Sequence, residues 1–339
     1  MRAAGVDAVV ESESLAVVGL LEVISHIPRI YREFRKLVAV ARERQPDVAI
    51  LTDSPDFHFR VAKKLKQMGI PVVYLVAPQV WAWRKGRLPK MRRLIDRLLC
   101  IFPFEKDFFE KHGISADYIA HPLTRMVRPS ASPVELQRKF GVPAGSELVA
   151  VLPGSREGEI ERHLPVLLDA VRRLSGPSRS FIAALPPRIA EKFRERFSSA
   201  SIQVREGETW DVLACSDLAL AASGTVTIEG CLLNTPMVTF YRVNGLSWLL
   251  GKLLVRVPFY SMVNLVAGRK VIPELIQGDM TAERLASEAA LLLDNEEMRS
   301  EMRGRLGEVA AKLSGPEDPM EAAASVVTEF IEKELAHAS

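Results

Sequence analysis

From Pro46 onward the apolar positions fall into short runs, each followed by a stretch with helical spacing. The segment PDVAILTD (46–53) has the pattern of a buried strand ending in an acid, FHFRVAKKLKQMG (57–69) that of a helix stopped by glycine, and IPVVYLVAP (70–78) that of the next strand. The rhythm returns in DRLLCIFPF (96–104), EKDFFEKHG (105–113) and ISADYIAHP (114–122). Strands of this length alternating with helices predict a parallel, doubly wound sheet. Residues 124–146, TRMVRPSASPVELQRKFGVPAGS, break the rhythm with proline, serine and glycine, and predict a linker with one short helical run. The pattern restarts with ELVAVLPGSREGEIERHLPVLLDAVRRL (147–174), continues with strands at 180–186, 202–207, 217–224 and 236–242, and ends in a helix over 320–338. Upstream of all this, 15–44 alternates apolar and basic residues at helical spacing, with Pro28 expected to interrupt the helix. The expected fold class is therefore α/β, with two Rossmann-like, doubly wound domains at 1–123 and 147–319 facing a cleft at the carboxyl ends of their strands. The last helix, 320–339, is a candidate to pack back on the first domain.

At 339 residues and 48% hydrophobic content, the chain is long enough to bury two cores. The apolar stretches 15–21 and 246–254 are too short or too interrupted to cross a bilayer, and the opening MRAAGVDAVVESES has acids where the apolar centre of a signal peptide would stand. Cys100, Cys215 and Cys231 lie scattered in apolar runs and read as buried thiols of a reducing compartment. A net charge of +3 is too mild to argue for nucleic acid. Its distribution says more, because WAWRKGRLPKMRR (81–93) carries six bases and no acid beside two tryptophans. Such a segment suits anionic lipid headgroups or a phosphorylated substrate, or else is a solvated helix face with its tryptophans packed inward. The 15–30 stretch is the other candidate for membrane contact, with plain core as its alternative.

Two turns carry candidate chemistry. A strand that ends in Pro153-Gly154-Ser155-Arg156 before a helix presents backbone N–H groups at the helix N-terminus, which with the guanidinium make an anion site suited to phosphate. A second turn, AASGTVTIEG (221–230), sets Ser223, Gly224 and Thr225 between strand and helix, with Glu229 about one turn later where a carboxylate could take a ribose diol. Together they point to a diphosphate nucleotide, and their glycine spacing matches neither a Walker A loop nor G-x-G-x-x-G. In the first half, Asp53 follows a strand and is placed to take a proton from an incoming hydroxyl, with His58 and His121 as alternative bases. Asp56 is expected to cap the helix that follows, and His121, before Pro122, to shape the hinge between domains. Neither metal-ligand spacing nor an Asp-x-Asp element is present, so the chemistry is expected to need no metal, with Arg156 and the helix dipole stabilising a leaving group.

Seven ordered blocks, VAPQVWAWRKGR, FPFEKDFF, HPL, LPGSREGEI, AASGTVTIEG, NTPMVTFYRV and VNLVAGRKVIPELIQ, strongly resemble lipid-A-disaccharide synthase, an inverting glycosyltransferase family of the GT-B fold. The resemblance runs from about residue 1 to the end. It implies transfer of 2,3-diacylglucosamine from its UDP derivative to 2,3-diacylglucosamine 1-phosphate (lipid X), giving a β-1,6-linked disaccharide and UDP. It further implies metal-independent work at the cytoplasmic face of the inner membrane, peripheral contact with its lipids, and a homodimer through the carboxyl-terminal half. Carried over residue by residue, Asp53 matches the first acid of the family's Asp-Ala-Pro-Asp-Phe block, whose alanine is Ser54 here. Arg156 matches the arginine of the phosphate turn, Ser223, Gly224, Thr225 and Glu229 the second turn, and Asn264 and Gln277 positions near the nucleotide. Trp81, Trp83, Arg84 and Arg87 fall on the acceptor or membrane side. Family members begin with a further strand, a Gly-Glu-x-Ser-Gly-Asp turn and a helix, a unit of roughly 40 residues that the resemblance leaves upstream of Met1. Two alternatives stay open: another GT-B enzyme using UDP-GlcNAc, and a UDP-binding scaffold without turnover.

Overall fold

A computed structural model describes residues 5–10, 20–245, 248, 251, 255 and 257–338. The chain divides into two compact units, Met1–Ile119 with Met320–Ser339, and Ala120–Pro319. The apolar stretch expected at 246–254 lies almost wholly outside the described residues, as does 15–19.

In the first unit, strands β1 (Ala49–Thr52), β2 (Val72–Leu75), β3 (Arg97–Cys100) and β4 (Ala116–Tyr118) form a parallel sheet in the order β1-β2-β3-β4. Crossovers that all step the same way are right-handed and so place the helices Pro55–Lys66, Leu88–Leu94 and Pro103–Glu110 on one face. Successive strand residues point to opposite faces. Tyr74 meets Phe59 of the first of these helices, with ring centroids 6.0 Å apart, while its neighbour Val73 joins Leu99, Ile119 and Ala323 on the other side. That second face is closed by the helix Pro319–Ala338, through Ala323, Val326, Val327 and Phe330. The doubly wound order expected for this unit is thus not found among its described residues: the strands step one way, and the last helix of the chain covers the face that a reversing crossover would cover. Strand and helix periodicity records that crossovers exist but not which way they step. Pro28 does not break the helix Leu20–Arg44, which continues past its exposed ring.

The second unit holds β5 (Glu147–Leu152), β6 (Arg179–Leu185), β7 (Gln203–Glu206), β8 (Leu218–Ala222), β9 (Met237–Tyr241) and β10 (Glu274–Ile276), all parallel, in the order β10-β9-β8-β5-β6-β7. The chain steps outward from β5 to β7, then returns to β8 beside β5 and steps the other way. This is the doubly wound order, with its switch point between β5 and β8. Both faces are covered, so Leu148–Leu152 and Leu218–Ala222 are continuous buried runs rather than alternating ones. The stretch 124–146 is packed into this unit rather than standing as a linker. Ser130 donates from its backbone N–H and its hydroxyl to Asp211 at 2.7 and 2.5 Å, Gln137 donates to the Cys215 carbonyl at 2.9 Å, and Leu136 and Phe140 are buried. Strand β10 and the helices Met262–Ala267, Ala282–Leu293 and Glu296–Leu313 were not anticipated, the strand because three residues after a proline show no period. The three cysteines are buried free thiols, and no helix among the described residues is long and apolar enough to cross a membrane.

Candidate functional site

The carboxyl ends of β5 and β8 meet at the switch point, and the two glycine turns leave from them. Residues of both turns, Gly154 and Ser155 from the first and Ser223, Gly224 and Thr225 from the second, line one cavity of about 280 Å³ with Glu159 and Glu229. The first turn needs its glycine twice over. Gly154 holds φ +128, a region that side-chain-bearing residues rarely adopt, and a Cβ there would stand 3.0 Å from the Glu159 side chain. At Gly224 an added Cβ would meet no protein atom within 4 Å, so its bare backbone faces open cavity.

The polar groups of the first turn are already organised around a carboxylate. Glu159, at the third position of the helix Glu157–Leu174, accepts from the N–H groups of Ser155 and Arg156 at 3.2 and 3.3 Å and from the Tyr241 hydroxyl at 3.0 Å. The Arg156 guanidinium, 72% exposed, lies 3.2 Å from the same carboxylate. An anion entering this seat therefore meets donors that an internal anion holds in place. His163, for which the sequence pattern shows no pairing, supports the turn. Its buried ring donates from Nδ1 to the Pro153 carbonyl at 2.7 Å and accepts at Nε2 from the Arg242 N–H at 3.1 Å. Nε2 also lies 3.3 Å from the Arg242 carbonyl, and burial lowers the ring's pKa, with the hydrogen bonds to the Pro153 and Arg242 backbone acting against it. The sign of it in the sequence is a histidine on the apolar stripe Ile160, Leu164, Leu167. In the second turn the Ser223 hydroxyl donates to the Tyr260 carbonyl at 3.1 Å. Burial pushes the Glu229 carboxyl up, with a hydrogen bond from the Trp210 side chain acting against it.

Asn264 and Gln277, expected near the nucleotide, do not line the cavity of the two turns. Asn264 is fully buried and its amide is saturated: Nδ2 donates to the Ile272 carbonyl and Glu274, and Oδ1 accepts from the N–H groups of Val271 and Ile272. It fastens the helix Met262–Ala267 to β10, and an amide with every position used has nothing left for a ligand. Gln277 borders a separate apolar cavity of about 230 Å³ with Tyr241, Trp248 and Tyr260, and its amide is bonded to the backbone of Val243 on both sides.

In the first unit, Asp53 lies exposed at the end of β1 and lines a cavity of about 460 Å³ with Tyr74, Trp83, Arg84 and Arg87. Asp56 does not cap its helix. Ser54 occupies the cap position, and the Asp56 carboxylate instead pairs with Arg87 and, at 3.2 Å, with Arg84, which together lower its pKa. His58 donates from Nδ1 to the Asp53 carbonyl at 2.8 Å; His121 belongs to the second unit and is buried, its pKa pushed down to about 4 by that burial. The two tryptophans of 81–93 part company. Trp81 is buried and donates from Nε1 to the buried Glu105 at 2.9 Å, so it belongs to the core rather than to an outer face. Trp83 is 38% exposed, with the Arg84 guanidinium 4.1 Å from its ring centroid. Among the described residues, no group of three or more His, Cys, Asp and Glu side chains is placed to hold a metal ion.

Comparison with solved structures places this architecture. A UDP co-structure of S. aureus MnaA superposes with a TM-score of 0.63 at 14% identity, over 94% of this chain and 83% of that one. The Anabaena Alr3699/HepE structure in complex with UDP and glucose superposes at 0.54 and 13% identity, over 88% and 81%. At such identities the likeness is one of fold, and the fold class is the α/β architecture of GT-B glycosyltransferases and epimerases. The sequence narrows the class: residues 1–325 match the family model for lipid-A-disaccharide synthetase. Lipid-A-disaccharide synthase of Solibacter usitatus is 56% identical over all of this chain and 90% of its own length, and that of Myxococcus xanthus is 41% identical over 95% and 87%. The chain belongs to the lipid-A-disaccharide synthase family, and is thus a glycosyltransferase of lipid A disaccharide synthesis.

Proposed function

We propose that the chain transfers 2,3-diacylglucosamine from its UDP derivative to the 6-hydroxyl of 2,3-diacylglucosamine 1-phosphate, with inversion. The carrying observation is that two glycine turns, from strands on either side of a topological switch point, line a single cavity. The donor's diphosphate lies against the Arg156 guanidinium, the Thr225 hydroxyl and the open backbone of Gly224, with Ser223 beside it, and Glu229 takes the ribose diol. Asp53 accepts the acceptor's hydroxyl proton as that oxygen bonds to the anomeric carbon. The bond from that carbon to the diphosphate breaks as the new one forms, and Arg156 with the helix N-terminus balances the charge left on UDP. No metal is required, and activity in excess chelator should equal activity without it. The acceptor is held in the first unit beside Trp83, Arg84 and Arg87. Those side chains also make the peripheral contact with inner-membrane lipids on the cytoplasmic side, and the carboxyl-terminal half pairs two copies.

Arg156→Ala tests the donor site. Losing one charge-assisted contact should weaken UDP binding by about 10-fold or more and lower turnover further, because the interaction strengthens as the leaving group gains charge. Unchanged UDP affinity and turnover would remove the phosphate reading of this turn.

A further inference from the structure

The cavity at the ends of β1 and β2 is bordered by backbone that the chain does not adopt freely. Asp53 (φ +56), Val76 (φ +64) and Arg84 (φ +60) line it, and Ser54 (φ +38) adjoins Asp53, all in the left-handed region without being glycine. For Val76 the conformation is a true outlier, since a β-branched side chain crowds its own backbone there. Strain gathered around one concavity marks a place where geometry is held for a ligand. The chemistry on the wall says which ligand. Arg84 and Arg87 both line the cavity, and both are oriented by the one carboxylate of Asp56, which is itself 77% exposed. Two guanidinium groups share the one carboxylate of Asp56, and the Asp53 carboxylate on the same wall brings the count of charges to zero, so it is the arrangement of donors rather than net charge that favours an anion. Each planar fork has five N–H donors, so the pairing with Asp56 leaves donors over. The guanidinium of Arg84 is further steadied over Trp83. Paired, oriented forks suit a tetrahedral dianion better than a lone carboxylate. The exposed ring of Trp83 adds a flat apolar surface beside them.

From this we infer that Arg84 and Arg87 form a phosphate-monoester seat, which selects an acceptor sugar carrying a phosphate over the same sugar without one, while Asp53 on the same wall stands ready for its hydroxyl. This rests on the transfer reaction proposed above and adds to it the group by which the acceptor is chosen. Asp56 is then a positioning residue, acting through the two arginines.

Two measurements test it. In the first, kcat/KM is compared for 2,3-diacylglucosamine 1-phosphate and its dephosphorylated counterpart, in the wild type, Arg84→Gln, Arg87→Gln and Arg87→Lys. Each glutamine variant should reduce the preference for the phosphorylated acceptor on the order of 10-fold to 100-fold. Arg87→Lys, which keeps the charge and loses the fork, should fall between. A preference unchanged in every variant overturns the seat, whatever happens to overall rate. The second needs no variant. The wild-type chain is treated with an arginine-selective dicarbonyl reagent, and the modification of Arg84 and Arg87 is followed by peptide mass spectrometry. Glucosamine 1-phosphate should protect both, and glucosamine should not. Equal protection by the two sugars, or protection only by vesicles containing phosphatidylglycerol, overturns the proposal, the latter by making the pair a membrane contact. If the chain forms no disaccharide with any acceptor, the transfer reading fails, and the protection experiment still decides the seat.

Discussion

Glu105 gives the most quantitative expectation. Its side chain is fully buried, accepting from Trp81 Nε1 at 2.9 Å and from the Phe102 N–H at 3.2 Å, and through Trp81 it anchors the segment that carries Trp83 and Arg84. Burial pushes its pKa from an ordinary 4.5 up to about 7, even though both hydrogen bonds favour the ionised form. The folded state therefore holds this proton more tightly than the unfolded chain. The stability it contributes is fully present below pH 4.5 and is lost as pH rises through about 7. Integrating that linkage from pH 5 to pH 8 gives a loss on the order of 2 to 3 kcal/mol. Glu105→Gln removes the titration and keeps the shape, so the comparison of wild type with variant cancels every other titrating group. Urea-dependent hydrogen exchange of the β2 and β3 amides reports the first unit alone. The wild type should lose about 2 to 3 kcal/mol relative to the variant over this range. Profiles that run parallel from pH 5 to pH 8 would refute the reasoning, since a carboxyl with an ordinary pKa produces no difference there.

Asp53→Asn should lower kcat about 100-fold or more while sparing UDP affinity. Asparagine tolerates the left-handed conformation of this position, so the change tests chemistry rather than backbone, and a loss of UDP affinity instead would make Asp53 structural. Glu159→Gln removes the negative charge that shares the phosphate turn with the ligand, and should tighten UDP binding several-fold with no effect on uridine. Titration calorimetry would show weaker UDP binding if Glu159 serves mainly to hold Arg156.

Much of this was legible in the residues because it is written in short-range pattern. The two glycine turns and the strand before each are local features, and the cavity they share follows from the winding rule for such sheets. What stayed hidden depends on distance along the chain. That the last helix packs on the first domain is an expectation of the sequence; that Phe330 and Val326 do so, against Val73 and Leu99, has no periodic signature. Asn264, placed near the nucleotide by resemblance alone, illustrates the same limit: its amide is spent on Val271, Ile272 and Glu274, partners that no local pattern announces. Asp56 looked like a helix cap because caps are acidic and local, whereas its partners Arg84 and Arg87 lie 28 and 31 residues away. Trp81 and Trp83, two residues apart in one basic segment, are told apart only by the buried carboxylate that one of them reaches.

Transfer itself is decided by incubating the purified 339-residue chain with UDP-2,3-diacylglucosamine and 2,3-diacylglucosamine 1-phosphate, and measuring UDP and disaccharide together. Both should appear in equal amounts, with a β-1,6 linkage, and neither should form when the acceptor is omitted. UDP released without disaccharide, or tight UDP binding with no turnover at all, would contradict it.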